Sequence, residues 1–258
     1  RVDTSNYVVI TPASPVVLCE PGGLELDANA FGLPPNRNLS CGLTGDMPVT
    51  ALDSLEIVPL NSSVQSGANP QSTPFANLAT SRHQYLIRAS DMLAAGMRSG
   101  TITGLTLFTS GNAAGASYGD LKIHLKCTPM TALDANAFEP GTVPVYAASG
   151  MLTVPPSGRL SFDFDAWYDW DTTQNLIVEI CYNGRSAGNN AVLTDFYSTF
   201  YTSCVYTSNA SGNSVCGGGV GSAGPNHVNE LPRISFKYHP APDADFQYAW
   251  VRLEGDYV

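Results

Sequence analysis

Residues Asp169 to Asn183 read D-W-D-T-T-Q-N-L-I-V-E-I-C-Y-N, and this stretch decides the fold. Within it Leu176, Ile177, Val178 and Ile180 form a run rich in β-branched residues, opened by the polar turn Thr172, Thr173, Gln174, Asn175. Such a run reads as a strand covered on both faces. A central strand needs neighbours. The best partner is Asp120 to Cys127, D-L-K-I-H-L-K-C, where Leu121, Ile123 and Leu125 point one way and Lys122, His124 and Lys126 the other. Both strands end in a cysteine. If they pair, Cys127 and Cys181 come within the roughly 6 Å Cα separation that a disulfide needs.

The chain has 258 residues, 43% of them hydrophobic, so it can bury a full core, and it is long for one domain and short for two. Charged residues make up only 13%, and 24 Gly and 18 Pro accompany many Ser, Thr and Asn. This composition predicts many turns and few long helices, as in extracellular β-proteins. The formal charge of −10 argues against nucleic acid and anionic membrane as partners, because both call for a basic patch. An acidic surface favours solubility and can recruit divalent cations. No run of 18 apolar residues occurs, so membrane insertion through a helix is not expected. Arg1 in place of Met predicts a chain processed from something longer.

The six cysteines suggest three pairs in sequence order, Cys19 with Cys41, Cys127 with Cys181 and Cys204 with Cys216, among the 15 connectivities that six allow. No C-x-x-C is present, so the spacing is not that of a zinc site, and disulfides formed outside the cytoplasm are expected. A Cys19 to Cys41 bridge would close a loop of about 20 residues and stabilise by about 3 kcal/mol.

Along the chain, residues 1–45 differ from the rest. Tyr7 to Ile10 and Val16 to Leu18 are strand-like runs split by T-P-A-S-P, which predicts a small immunoglobulin-like piece or a strand arm. Residues 46–239 carry the regular pattern. Leu52, Leu55, Ile57, Val58 and Leu60 give a strand, Asn61 to Thr80 a polar loop, and Tyr85 to Ile87 a strand. The one helix signal follows, S-D-M-L-A-A-G, with Ser90 as cap, Asp91 in the first turn and Gly96 as the stop. Further strands are expected over 101–109, 120–127, 143–146, 158–164, 175–182, 191–197 and 234–238. In the segment from Arg159, Leu160, Phe162 and Phe164 face the core and Ser161, Asp163 and Asp165 face solvent. Short strands separated by Gly and Asn turns specify an all-β antiparallel sandwich, jelly-roll-like, with one short helix. The segment between Cys204 and Cys216 and the glycine-rich run after it read as a surface excursion. Residues 240–258 read as a linker and a strand.

From about Arg82 to Phe236 the chain resembles a domain of very large secreted surface proteins of Bacteroidota, of the gliding-motility adhesin kind exported by type IX secretion. The blocks that carry the resemblance are R-H-Q-Y-L-I-R-A-S-D-M-L-A-A-G at 82–96, I-T-G-L-T-L-F at 102–108, L-K-I-H-L-K at 121–126, V-P-V-Y at 143–146, the opening stretch at 169–183, and L-P-R-I-S-F at 231–236. The resemblance implies a disulfide-bearing β-sandwich module in a multi-domain surface filament or adhesin, with no catalytic motif to carry over. Its expected partners are neighbouring domains or copies of the same assembly at the cell surface.

Three groups of residues invite a functional reading. Asp163, Asp165, Asp169 and Asp171 supply hard oxygen donors suited to Ca²⁺ if the turn folds them onto one point, and they equally suit a strand's polar face and a turn. Trp167, Tyr168 and Trp170 offer a platform for stacking on glycans, or else Trp170 plugs the edge of the core. Asn38, Asn61 and Asn209 head N-glycosylation sequons, while Ser54 and Thr172 sit in the short O-glycosylation pattern of the phylum named above. The four histidines form no H-E-x-x-H and no G-x-S-x-G is present, so no catalytic residue is assigned. His124 is expected on a solvated strand face. The sequence therefore predicts a non-enzymatic structural or adhesive module, with a carbohydrate-binding module as the alternative.

Overall fold

A computed structural model describes residues 6–11, 27–32, 37–39, 41, 51–66, 73–110, 116–186, 191–210, 215–216 and 225–241. Its elements are strands β1 (Asn6–Thr11), β2 (Asp27–Gly32), β3 (Arg37–Leu39), β4 (Asp53–Ile57), β5 (Val64–Gln65) and β6 (Thr80–Ile87), then helix α1 (Ala89–Ala94). There follow β7 (Gly100–Thr109), β8 (Ala116–Tyr118), β9 (Lys122–Thr128), β10 (Val143–Ala147), β11 (Leu152–Val154), β12 (Gly158–Trp170) and β13 (Asn175–Asn183). The last are β14 (Phe196–Ser198), β15 (Cys204–Asn209), β16 (Asn226–Val228), β17 (Glu230–Pro232) and β18 (Ile234–Pro240).

Two sheets make the sandwich. One has six strands in the order β10-β9-β13-β6-β15-β16, the other five in the order β3-β12-β7-β18-β4. The chain crosses from one sheet to the other between β6 and β7, between β10 and β12, and again between β12 and β13, which is the jelly-roll-like pattern expected. Among the described residues all pairings are antiparallel except β3 with β12, where Trp167 to Asp169 run alongside Arg37 to Leu39. Strand β13 is the one that organises the six-stranded sheet: it is buried along its length, with β9 on one side and β6 on the other. Its partner β9 shows the expected alternation, Leu121, Ile123 and Leu125 being buried and Lys122, His124 and Lys126 half-buried.

The core between the sheets takes Leu176, Val178, Ile180 and Tyr182 from β13 and Ile123 and Leu125 from β9. These meet Leu105 and Leu107 of β7, Phe162 of β12 and Phe236 of β18. Burying a side chain of this size contributes about 1.5–3 kcal/mol. Tyr146 meets Phe162 edge to face at 5.2 Å across the sandwich. At Gly104 the five-stranded sheet is kinked from both sides, since β12 shifts register between Asp163 and Tyr168 and β18 between Lys237 and Tyr238. A Cβ at Gly104 would lie 2.5 Å from the Phe162 carbonyl oxygen, so glycine is what lets the bulged strand approach.

Helix α1 ends as the sequence predicts. Gly96 adopts φ +90°, its N–H donates to Leu93 O at 2.9 Å, and Met97 N–H donates to Met92 O at 2.9 Å, a Schellman closure. Its start differs. Ser90 is inside the helix, Arg88 occupies the cap position without a side-chain capping bond, and the orphan Ala89 N–H is taken by Asn175 Oδ1 at 2.8 Å. Asn175 also donates to Met130 O at 2.7 Å, so the first residue of β13 fixes the helix start from across the fold.

Within the segment 1–45, expected as an immunoglobulin-like piece or a strand arm, Arg37–Leu39 pair as β3 with β12 and Cys41 is fully buried in the sandwich, as an arm packed on the next domain would be. Several other expectations are corrected. The strand expected over 191–197 is confined to β14, with isolated bridges at Val192 and Thr194. The polar stretch 61–80 contributes β5 and the buried residues Thr73 and Phe75. The start of the presumed excursion after Cys204 is β15, paired with β6 inside the six-stranded sheet. Strand β1 agrees with the Tyr7 to Ile10 run, whereas the run 16–18 and the tail from 242 lie outside the described residues.

The cysteines pair differently from sequence order. Cys41 bonds Cys127 and Cys181 bonds Cys216, with Cα separations of 5.8 and 5.6 Å, while Cys204 is an unbonded, fully buried thiol. Cys127 lies opposite Leu176 and Cys181 opposite Lys122. Leu176 and Cys181 differ in parity along β13, so the two cysteines emerge on opposite faces and cannot meet. Cys127 points into the core and joins the sheets through Cys41. Cys181 points outward and holds Cys216 on the far face. Cys204 shares the core cluster with Tyr85, which keeps it from Cys216. Cys19 lies outside the described residues. Two disulfides place the protein in an oxidising, non-cytoplasmic setting, and no helix among the described residues is long and apolar enough to cross a membrane.

Candidate functional site

The outer face of the six-stranded sheet carries a buried polar cluster. Side chains of β13 with the parity of Ile177, Glu179 and Cys181 point away from the core, and the register sets Glu179 between His124 of β9 and Gln84 of β6. An outward carboxylate is normally solvated. Here the connection between β9 and β10, residues 129–142, folds back over the sheet. Leu133 packs in a second apolar cluster with Ile177, Leu86 and Val205, with Phe138 and Tyr201 alongside. Gln84 clasps the connection by accepting Glu139 N–H and donating to Glu139 O, both at 2.8 Å. Lys126 adds bonds to Glu139 Oε1 and Pro140 O at 2.6 Å.

Under this cover Glu179 and Arg82 form an ion pair at 2.8 Å, their side chains only 1% and 8% exposed. Glu179 Oε2 takes Arg82 Nη2 and also Gln84 Nε2 at 2.6 Å, with Thr142 Oγ1 at 3.4 Å. The Arg82 guanidinium lies 4.3 Å over the Phe138 ring, a cation–π contact. His124 Nδ1 is 3.5 Å from Glu179 Oε1 and 3.3 Å from Thr142 Oγ1. Burial pushes the His124 pKa below the ordinary histidine value. Glu179 opposes that shift and Arg82 and Lys122 reinforce it, so the ring is neutral at neutral pH. Within this cluster two buried atoms have no hydrogen-bond partner among the described residues, Glu179 Oε1 and Arg82 Nε. Beside them opens a cavity of about 480 Å³, lined by Arg82, His124, Asn136, Phe138, Thr142 and Glu179 among others. That size is within the range of small-molecule sites.

A hydroxyl, an imidazole and a carboxylate thus converge, but not as a nucleophilic triad. A triad uses opposite ring nitrogens for nucleophile and acid, whereas Nδ1 of His124 faces both Thr142 and Glu179. Glu179 is moreover anchored by Arg82 and Gln84. The arrangement suits holding a polar ligand better than activating a hydroxyl. Sequence reasoning placed His124 on a solvated face and assigned no role to Arg82, Gln84, Thr142 or Glu179. One signal was there: a single carboxylate inside the apolar run Leu176 to Cys181, which must find partners if the strand is central.

The residues singled out from sequence fall elsewhere. The four aspartates do not converge: Asp163 pairs with Lys237 at 2.6 Å, Asp165 accepts Ala147 N–H at 2.9 Å, Asp169 is buried and accepts the Thr101 hydroxyl, and Asp171 accepts Thr173 N–H at 2.9 Å in a turn. Among the described residues no group of three or more His, Cys, Asp or Glu is placed to hold a metal. Trp167, Tyr168 and Trp170 form no shared platform. Tyr168 and Trp170 are fully buried, Trp170 Nε1 donating to Gln174 O at 2.8 Å, and half-buried Trp167 lies against His239 at 5.4 Å. Ser54 is exposed on edge strand β4, and Asn61 is exposed in a turn with φ 62°. Thr172 is half-buried with φ 73°; Asn38 and Asn209 lie in β3 and β15 rather than in loops.

Compared with known protein families, with curated proteins and with solved structures, the chain gives no match.

Proposed function

We propose that this chain is a non-enzymatic structural or adhesive module of an extracellular surface filament or adhesin. The observation that carries the reading is the placement of its two covalent links, one tying the sheets together through Cys41 and Cys127, the other clamping the outer face of β13 through Cys181 and Cys216. A module that must keep its shape outside the cell gains from both. The acidic, turn-rich composition supports the same reading, and the resemblance of its sequence blocks to Bacteroidota surface proteins adds export by type IX secretion to it. Edge strands β4 and β10 each have one hydrogen-bonded neighbour among the described residues, so either edge suits pairing with a neighbouring domain or a second copy.

The test is antibody labelling of intact source cells combined with cross-linking mass spectrometry. Surface labelling with cross-links from β4 or β10 to another domain or copy is the expected result. A chain retained inside the cell, or one at the surface with no neighbour within cross-linking reach, overturns it.

A further inference from the structure

We propose that the cavity on the outer face of the six-stranded sheet is a binding site for a neutral, hydroxyl-rich ligand, a saccharide, held by Glu179 Oε1 and Arg82 Nε. The inference does not depend on the structural role, since the sandwich would stand with the cavity empty or filled.

The argument runs on charge and on unmet hydrogen bonds. Glu179 and Arg82 neutralise one another, so a ligand carboxylate would face Glu179 and an ammonium would face Arg82, each at the cost of its hydration. A neutral ligand escapes that cost. What the pair leaves open is one acceptor, Glu179 Oε1, beside one donor, Arg82 Nε, both buried and both on residues lining the cavity. An unsatisfied buried polar atom is destabilising, and a ligand that satisfies both relieves it. A hydroxyl donates and accepts at once, so two adjacent hydroxyls on a ring match this pair. The neutral imidazole of His124, the Thr142 hydroxyl and the Asn136 amide offer further donors and acceptors around the same space, while Phe138 gives an apolar wall for ring C–H groups. A peptide carboxamide would satisfy the acceptor and donor but offers a single amide, whereas a sugar ring offers several hydroxyls to the other donors and acceptors around the cavity. The saccharide is therefore favoured.

The experiment follows the His124 ring signals of the full chain by NMR. Methyl glycosides of glucose, galactose, mannose and N-acetylglucosamine, and their short oligomers, are added at millimolar concentration. Glucuronate, glucosamine and N-acetylglutamine amide serve as charged and peptide-like probes. At least one neutral sugar is expected to shift the ring signals saturably, with the charged and amide probes weaker by about tenfold or more. Ala137→Trp, at an exposed lining position, plugs the cavity without touching the buried pair and is expected to abolish the shift, and Asn136→Ala is expected to weaken it. Silence of all neutral sugars, equal binding by the charged or amide probes, or binding that survives Ala137→Trp and Asn136→Ala overturns the proposal.

Discussion

Cys127 and Cys181 lie on adjacent strands and face opposite sides of the sheet, Cys127 toward Cys41 in the core and Cys181 toward Cys216 outside. One bond therefore spans the sandwich and the other closes its surface. The loops they close differ in length, 86 against 35 residues of sequence separation. Chain entropy then assigns about 4.6 kcal/mol to the first and about 3.8 kcal/mol to the second. Paired replacement of Cys41 and Cys127 by Ser is expected to lower unfolding free energy more than paired replacement of Cys181 and Cys216, as read by urea titration.

The Cys204 thiol is fully buried, and desolvation raises its pKa well above the ordinary thiol value. The thiolate is the reactive form. Maleimide is expected to spare Cys204 in the native protein and to label it once the chain is unfolded. Peptide mapping that finds Cys204 joined to Cys216 would contradict the connectivity.

Arg82 and Glu179 are buried together, so removing one strands the other's charge. Arg82→Met alone is expected to destabilise by about 3–5 kcal/mol, whereas the double change Arg82→Met with Glu179→Leu recovers much of the loss. Denaturant midpoints of Arg82→Met, Glu179→Leu and the double variant measure the coupling.

His124 gives a pH signature of known sign. Its folded pKa lies below the unfolded value of 6.5, so the unfolded chain binds the proton first as pH falls. Stability is fully present above about 6.5 and is lost as pH drops from there toward the folded pKa. His124→Gln is expected to flatten this limb of a stability profile between pH 7 and 5.

Gly104 sits where β12 and β18 both slip register, and an added Cβ meets backbone rather than a movable side chain. Gly104→Ala is expected to cost about 1–3 kcal/mol, seen as a lower melting temperature. Gly150 has open space around it, so Gly150→Ala serves as the neutral control.

The sandwich was legible because alternation and β-branched runs report burial directly. The facing sets of β9 and the buried run of β13 follow from them, and the stop of α1 follows from Gly96. What escaped depended on register and on chain returning from elsewhere. Whether Cys127 meets Cys181 turns on a shift of position along paired strands that composition does not encode. Ser90 lost the cap to Asn175, distant in sequence. His124 read as a surface residue, and Glu179 carried no role, until residues 129–142 fold over them. The Trp167 to Trp170 segment reads as a turn, but it continues β12 to Trp170 and hides two of its three aromatics.

The bond between Cys41 and Cys127 has a mechanical corollary. Whatever pulls on the two ends of the described chain cannot pay out the stretch between those sulfurs, a sequence separation of 86, until the bond is reduced. Fully extended, that segment would span about 300 Å. Under tension this one bond thus keeps about a third of the chain's reach in reserve, and a reductant, rather than a stronger tug, is what releases it.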